Sequence, residues 1–192
     1  MSGVPGERAP RPFAVALVGF MAAGKSAVGR LAARRLEVRF VDTDALLEAR
    51  EGPIREIFAA RGEQAFRRLE RDLVVEVLAA ALREPCVVSL GGGAVLSGEV
   101  REALLRFPHV AWLTAPADVL WARTRAAARG GRPLATDEQA FRRLLGERND
   151  LYRSVASAEV ANDGSRTPAL VAAEIAALAG RRRAPRPLEA RR

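Results

Sequence analysis

The segment with the clearest chemical potential is a glycine-rich loop that ends in lysine and serine. Residues 19–26 have the sequence GFMAAGKS, which fits the pattern G-x-x-x-x-G-K-[ST], and they lie between an apolar run at 13–18 and a helical pattern. Glycines in this setting let successive backbone N–H groups point at phosphate oxygens, and the following helix adds its positive N-terminal end. The pattern predicts a loop that binds ATP or GTP, with Lys25 at the β- and γ-phosphates and Ser26 as a ligand of Mg²⁺.

Lys25 is the only lysine in the chain, although lysine and arginine together number 31. The two side chains are not interchangeable, because the ammonium group is a compact point charge and the guanidinium group is a planar fork. A single lysine at this position favours a phosphate-binding loop over the alternative, an ordinary turn between a strand and a helix.

Two carboxylates follow the next predicted strand. Asp42 directly follows the predicted strand at 38–41, and Asp44 lies two residues further on. In an open α/β sheet, ligands bind beyond the carboxyl ends of the strands, so both side chains are expected to face the same crevice as the loop. One aspartate can hold Mg²⁺ through water and the other can accept a hydroxyl proton. The alternative is that Asp44 caps the helix that follows.

Glycines and arginines supply candidates for an anionic acceptor site. Gly91, Gly92 and Gly93 follow a third apolar strand, and without side chains they let a small ligand lie against main-chain N–H groups, although a flexible turn is the alternative. Arg67 lies three residues before Glu70 on a predicted helix, close enough for the carboxylate to hold the guanidinium. Arginine binds carboxylates and phosphates in bidentate fashion, but thirty arginines leave the choice among them open.

The elements that must position these residues alternate between strand and helix. This alternation predicts an α/β fold with a parallel sheet and helices on both faces. Strands are predicted at 13–18, 38–41, 85–90, 109–114 and 158–161, and helices at 26–36, 63–83, 99–106, 117–128, 138–150 and 168–179, with two short helical pieces on either side of 52–53.

Composition limits the class of protein. The chain has 192 residues and 49% hydrophobic content, which suits one domain with a substantial core. It contains no apolar run long enough for a transmembrane helix, and residues 1–12 lack the apolar core of a signal peptide, so we expect a cytoplasmic protein without a membrane partner. A single cysteine, Cys86, and a single histidine, His109, exclude a disulfide framework and a His/Cys zinc site within the chain.

The net charge of +8 is typical of a protein that binds nucleic acid, so the distribution of this charge along the chain must be considered. The tail at 181–192 carries six arginines and one glutamate, and residues 1–12 carry a surplus of one. Once that +5 and +1 are set aside, the body at 13–180 carries only +2. We expect a disordered leader at 1–12, one domain at 13–180 and a disordered basic tail, with nucleic-acid binding through the tail as the rival interpretation.

Taken together, the motifs resemble those of the shikimate kinase family. The matching segments are GFMAAGKS, DTD at 42–44, GEQAFRRLE at 62–70, SLGGGA at 89–94, RPL at 132–134 and LYR at 151–153. The resemblance implies a P-loop small-metabolite kinase fold with a five-stranded parallel sheet flanked by helices, and a mobile lid at about 125–136. It implies ATP-dependent phosphorylation of the 3-hydroxyl of shikimate in aromatic amino-acid biosynthesis, with Mg²⁺, and we expect a monomer.

The resemblance also implies roles on the acceptor side. Arg67 and Arg153 would clamp the shikimate carboxylate, with Glu70 orienting Arg67. Asp44 would hydrogen-bond the ring hydroxyls and act as the base. The ring would lie against Gly91, Gly92 and Gly93.

On the nucleotide side, Asp42 would join Ser26 around Mg²⁺. Arg132 would enter with the lid and, together with Lys25, neutralise charge on the transferred phosphoryl group. The lid ends in RPLA where the family usually has RPLL, and Arg129 competes with Arg132 for this role. Residues matching ATP-binding positions are Ala22, Ala23, Gly24, Lys25, Ser26, Ala27, Arg123, Arg132 and Arg166, with Pro168 also near the adenine. A gluconate kinase remains the alternative within the same class.

Overall fold

The structure, a computed structural model, describes residues 14–128 and 137–180. Within these ranges, strands β1 to β5 form one parallel sheet in the order β2-β3-β1-β4-β5. The predicted five-stranded parallel sheet is therefore confirmed. The strands are β1 at Ala14–Val18, β2 at Arg39–Asp42, β3 at Cys86–Ser89, β4 at His109–Thr114 and β5 at Ala158–Ala161.

Helices flank this sheet, as the alternating pattern predicts. None of the helices in the described ranges is long and apolar enough to cross a membrane. The helices are α1 at Lys25–Leu36, α2 at Thr43–Glu51, α3 at Ile54–Ala81, α4 at Gly98–Arg106, α5 at Ala117–Ala128, α6 at Glu138–Val155 and α7 at Pro168–Ala179, with a short 3-10 helix at Ala94–Leu96.

The central strand explains why the sequence begins with a continuous apolar run. All five residues of β1 are buried, because its neighbours β3 and β4 pair with both edges and helices cover the sheet. By contrast, β2 lies at the edge of the sheet, and none of its residues is fully buried. The carboxyl ends of β2, β3 and β1 lie side by side, with Asp42 opposite Ser89 in the register. The loops that carry the predicted site residues therefore leave neighbouring strands.

One helix boundary that matters for the site differs from the predicted one, and the predicted lid overlaps a helix. Helix α6 continues to Val155 instead of ending at 150, because 151–155 contains neither glycine nor proline and its Tyr152 and Val155 extend the buried face. Residues 125–128, which we assigned to the lid, belong to α5. The remainder of the predicted lid, the leader and the tail lie outside the described residues.

Candidate active site

The glycine-rich loop curls between β1 and α1 with its lysine folded inward. The Lys25 Nζ donates hydrogen bonds to the carbonyl oxygens of Gly19 at 2.8 Å and Phe20 at 2.9 Å, and the residue is only 9% exposed. Gly19 and Gly24 have positive φ, and a Cβ at Gly19 would overlap the main-chain oxygen of Leu113. Helix α1 begins without a side-chain cap, so its first N–H groups are available to an anion.

Burial sets the protonation behaviour of the lysine. It lowers the pKa of Lys25 to about 8, against the opposing effect of the Asp44 and Asp42 carboxylates, while the guanidinium of Arg148 lowers it further. Two cations and two carboxylates thus act on one another in the same small volume. A bound polyphosphate would supply the negative charge that this arrangement favours.

Asp42 and Ser26 meet at the end of β2. The Ser26 hydroxyl donates to Asp42 Oδ2 at 2.5 Å, while Asp42 Oδ1 accepts from the main-chain N–H groups of Asp44 and Ala45. Asp42, and not Asp44, is therefore the N-cap of α2, so the alternative role that we left open for Asp44 falls to Asp42.

Asp44 lies in the first turn of α2 with its carboxyl group directed at the glycine segment. A Cβ at Gly91 would overlap Asp44 Oδ1 and lie 2.8 Å from Glu70 Oε1. Burial raises the pKa of Asp44 to about 6, against the lowering effect of the Lys25 charge, and the nearby carboxylates of Asp42, Glu70 and Glu48 raise it as well. A carboxyl group with such a pKa can accept a proton near neutral pH.

The three glycines lie in close contact with their surroundings. A Cβ at Gly93 would overlap the guanidinium of Arg67, and one at Gly92 would lie 3.3 Å from the main-chain nitrogen of Met21. The N–H of Gly91 donates to the buried Thr43 hydroxyl at 3.0 Å, which fixes the segment against the start of α2. The flexible-turn alternative does not describe this tightly packed segment.

Arg67 is held by carboxylates on its own helix. Its Nη1 donates to Glu70 Oε2 at 2.7 Å, and its Nε and Nη2 lie 3.4 and 3.3 Å from Glu63 Oε1. The Glu70 side chain is 6% exposed, whereas that of Arg67 is 30% exposed. Glu70 therefore occupies the buried end of the pair and fixes the orientation of the guanidinium, while part of Arg67 remains accessible. A cavity of about 650 Å³ opens beside Arg67, Glu70 and Gly93.

Sequence reasoning missed Arg148 of α6. It is 7% exposed, its Nη1 donates to the main-chain oxygen of Gly92 at 3.3 Å, and its guanidinium lies 5.5 Å from the centroid of the Phe20 ring. Its Nε has no hydrogen-bond partner, the only such buried side-chain atom in the described ranges. A buried guanidinium with an unused donor beside the glycine segment is suited to binding an anion. Tyr152, four residues on, donates to the same Gly92 oxygen at 2.6 Å.

The contacts of Arg153 are different. Its Nη1 pairs with Asp150 at 2.7 Å, and its guanidinium lies over the ring of Trp112. The cause is the length of α6: since the helix continues through Val155, Arg148 and Tyr152 share the face toward Gly92, and Arg153 is turned about 100° from Tyr152. The structure thus brings Arg148, and not Arg153, to the glycine segment.

Two of the residues assigned to the adenine lie around the loop between β5 and α7. Arg123 Nη1 donates to the main-chain oxygen of Asn162 at 2.8 Å. Arg166 pairs with Glu174 at 2.6 Å and donates to the main-chain oxygen of Ala161. Pro168 is the first residue of α7. The remaining predicted nucleotide ligands, Ala22, Ala23, Gly24 and Ala27, lie in the loop and the first turn of α1, and Arg129 and Arg132 lie outside the described residues.

The arrangement joins a phosphate-binding loop to a carboxyl group and two arginines across one row of glycines. It can hold a nucleotide by main-chain N–H groups and an acidic small molecule by guanidinium groups. With the parallel sheet, these features define the class of P-loop kinases that phosphorylate small metabolites. A gluconokinase from Sinorhizobium meliloti, 20% identical, has the same fold, with a TM-score of 0.58 over 88% of this chain and 93% of that chain.

Closer relatives narrow the class to one family. The family model described as shikimate kinase matches residues 21–179. A shikimate kinase of Symbiobacterium thermophilum is 42% identical over 153 residues, which cover 78% of this chain and 86% of the relative. The structure of a shikimate kinase from Acinetobacter baumannii in complex with shikimate is 33% identical, with a TM-score of 0.77 over 85% of this chain and 90% of that chain. The chain belongs to the shikimate kinase family, and the resemblance drawn from its motifs is confirmed. It is an ATP-dependent kinase of aromatic amino-acid biosynthesis.

Proposed function

We propose that the chain transfers the γ-phosphoryl group of ATP to the 3-hydroxyl of shikimate, with Arg67 and Arg148 holding the acceptor carboxylate. The observation that carries this assignment is the position of both guanidinium groups at the glycine segment, where Arg67 lies at Gly93 and Arg148 at Gly92. Arg148 takes the place that sequence reasoning gave to Arg153. Two guanidinium groups beside one glycine segment favour an acid over a neutral polyol.

Asp44 is the proposed base. It lies beside Gly91, and its charge interacts with that of Lys25 at the phosphate loop. In the transfer step the 3-hydroxyl oxygen forms a bond to the γ-phosphorus as the bond to the β,γ-bridging oxygen breaks. Asp44 takes the hydroxyl proton, and ADP leaves. Lys25 stabilises the charge that develops on the transferred group, because it lies at the loop that holds the phosphates.

Ser26 and Asp42 are the proposed protein ligands of Mg²⁺. Their oxygens are 2.5 Å apart, and hydroxyl and carboxylate oxygens suit this cation, which usually takes its other ligands from water and phosphates. When bound, the metal neutralises charge on the β- and γ-phosphates. Arg123 and Arg166 are proposed for the adenine side, and Arg132, from the lid that the resemblance implies, is proposed as a further cation at the transferred group.

We also propose the bounds of the domain and the location of the protein in the cell. We place the kinase domain at 13–180, which contains both the family match at 21–179 and all the described strands and helices. A cytoplasmic location is supported by the single buried cysteine, since an unpaired thiol suits a reducing compartment.

The test is a coupled assay of ADP release from the full chain with a panel of acceptors: shikimate, gluconate, other hydroxy acids and nucleosides. We expect ADP release that depends on shikimate, and a phosphorylated product whose ³¹P–¹H coupling places the ester on the 3-oxygen. Turnover of gluconate in preference to shikimate would favour the alternative kinase. Deletion of 181–192 tests the nucleic-acid interpretation: we expect unchanged shikimate turnover, with any polynucleotide binding lost.

A further inference from the structure

Asn162 connects three parts of the nucleotide side through one buried residue. It follows β5, is 7% exposed, and its side-chain Nδ2 donates to the main-chain oxygen of Ala23 in the phosphate loop at 2.8 Å. Its main-chain N–H donates to Thr114 at the end of β4 at 2.7 Å, and its main-chain oxygen accepts from Arg123 at 2.8 Å. The side chain therefore contacts the phosphate loop, while the main chain anchors the residue to the sheet and to Arg123.

The hydrogen bond to Ala23 determines which way the next peptide N–H points. In a trans peptide the carbonyl of one residue and the N–H of the next are antiparallel. Because the Ala23 carbonyl is directed at Asn162, the N–H of Gly24 is directed away from it. No hydrogen bond in the described part of the chain uses that N–H, so it remains available to a ligand.

Gly24 is shaped to allow this contact. Its φ is +90°, and a Cβ at this position would overlap the Nδ2 of Asn162. The second glycine of the loop motif thus makes room for the amide group as well as for the backbone turn. The loop and the amide fit each other, although 139 positions separate Asn162 from Ala23.

We propose that Asn162 is a positioning residue for nucleotide binding, whose side-chain amide holds the Ala23–Gly24 peptide with its N–H directed at the phosphates. This role rests on the proposed function only in that a nucleotide is the phosphate donor. Asn162 does not touch the acceptor side in any contact that the structure describes. Its side chain should therefore affect nucleotide affinity and leave acceptor affinity alone.

The experiment compares two variants of the full chain by calorimetric titration with ADP in the presence of Mg²⁺ and without acceptor. Asn162→Ala removes the donor, and Asn162→Asp keeps the shape but turns an oxygen toward the Ala23 carbonyl. We expect ADP affinity to fall about tenfold in Asn162→Ala and at least as much in Asn162→Asp, because a buried carbonyl loses its partner. The main-chain hydrogen bonds to Thr114 and Arg123 remain in both variants.

The matched control is Ser157→Ala. The Ser157 hydroxyl donates to the main-chain oxygen of Val110 at 3.1 Å just before β5, so this variant removes a side-chain hydrogen bond to the main chain at the opposite end of the strand without touching the phosphate loop. We expect unchanged ADP affinity in the control. In the Asn162 variants we also expect a higher KM for ATP with an unchanged KM for shikimate, which a general loss of stability would not produce.

Three results would overturn the proposal. They are wild-type ADP affinity in Asn162→Asp, an equal loss of affinity in Ser157→Ala, and equal increases in both KM values. Because ADP binding is measured without acceptor, absence of shikimate turnover in the wild-type chain would contradict the proposed function and leave this test intact.

Discussion

The nucleotide side and the acceptor side of the site are built on different principles. The phosphate loop is one continuous segment, residues 19–26, in which most of the binding groups are main-chain N–H groups and the side chains serve to shape the backbone. The acceptor side takes Asp44 from α2, Arg67 from α3, the glycines that follow β3 and Arg148 from α6. Apart from these glycines, its proposed binding groups are side chains from separate elements.

This difference implies different sensitivities to substitution. A main-chain cradle tolerates changes of side chain as long as the backbone keeps its path. A pocket made of side chains depends on each helix reaching the correct length and rotation. Substitutions on the two sides should therefore separate nucleotide binding from acceptor binding.

The largest effect is expected at Lys25, the buried cation of the phosphate loop. Lys25→Met keeps much of the buried volume but removes the charge at the transferred phosphoryl group, and we expect kcat to fall about 10²–10³-fold. Steady-state kinetics and calorimetric titration with shikimate measure the two sides separately. Affinity for shikimate should persist; if it disappears together with kcat, the two sides are not separable.

The second prediction compares two arginines on one helix. Arg148→Met should raise the KM for shikimate about ten- to hundredfold, because a charge-assisted contact to the carboxylate is lost. The matched variant, Arg153→Met, removes a guanidinium that pairs with Asp150 and lies over Trp112, and we expect little change in that KM. ADP affinity should be unchanged in both. A larger effect of Arg153→Met would return the carboxylate clamp to the residue that the sequence motif suggested.

The contrast between these arginines shows what sequence could and could not predict. The phosphate loop was recognisable because its residues are adjacent and its pattern has a direct physical meaning. The sheet followed from apolar runs, and Asp44, Arg67 and Gly93 were found as local motifs. Arg148 carried no such signal: it is one of thirty arginines, and only the packing of α6 against the glycine segment brings it to Gly92. Asn162 was missed for a similar reason, since its partner Ala23 is distant in sequence.

The third prediction concerns pH and the acceptor side. Asp44 must be ionised to accept the hydroxyl proton, and burial raises its pKa to about 6. We therefore expect kcat/KM for shikimate to fall as pH decreases through about 6, by roughly tenfold for each further pH unit. Measurement of ADP affinity over the same range is the control, and it should change less.

The same pKa determines the sign of a stability effect. The folded state holds the Asp44 proton up to about pH 6, whereas the unfolded chain loses it near 3.8. The free energy of unfolding should therefore decrease as the pH rises from about 3.8 to about 6. Above pH 6 the buried carboxylate is charged, and its burial continues to destabilise the folded state. Asp44→Asn removes the buried charge, so it should raise the melting temperature of the nucleotide-free protein at pH 8. In the same variant, the decrease in kcat/KM below about pH 6 should disappear. An unchanged melting temperature would indicate that the attraction of the Lys25 charge fully offsets the free-energy cost of burying the Asp44 carboxylate.

The smallest expected effect tests whether the backbone of the phosphate loop is preorganised for nucleotide binding. Ala22 in the loop and Glu37 after α1 are the non-glycine residues of the described ranges with positive φ, at 59° and 55°. Replacement by glycine relieves the steric cost of this conformation, so Ala22→Gly and Glu37→Gly should each raise the free energy of unfolding by about 1 kcal/mol or less. Only Ala22→Gly should also weaken ADP binding, by a few-fold, because the freed loop loses more conformational entropy on binding. Chemical denaturation and ADP titration of the pair measure both quantities. Equal ADP affinity in the two variants would show that the loop owes its shape to contacts such as that with Asn162 and not to the alanine itself.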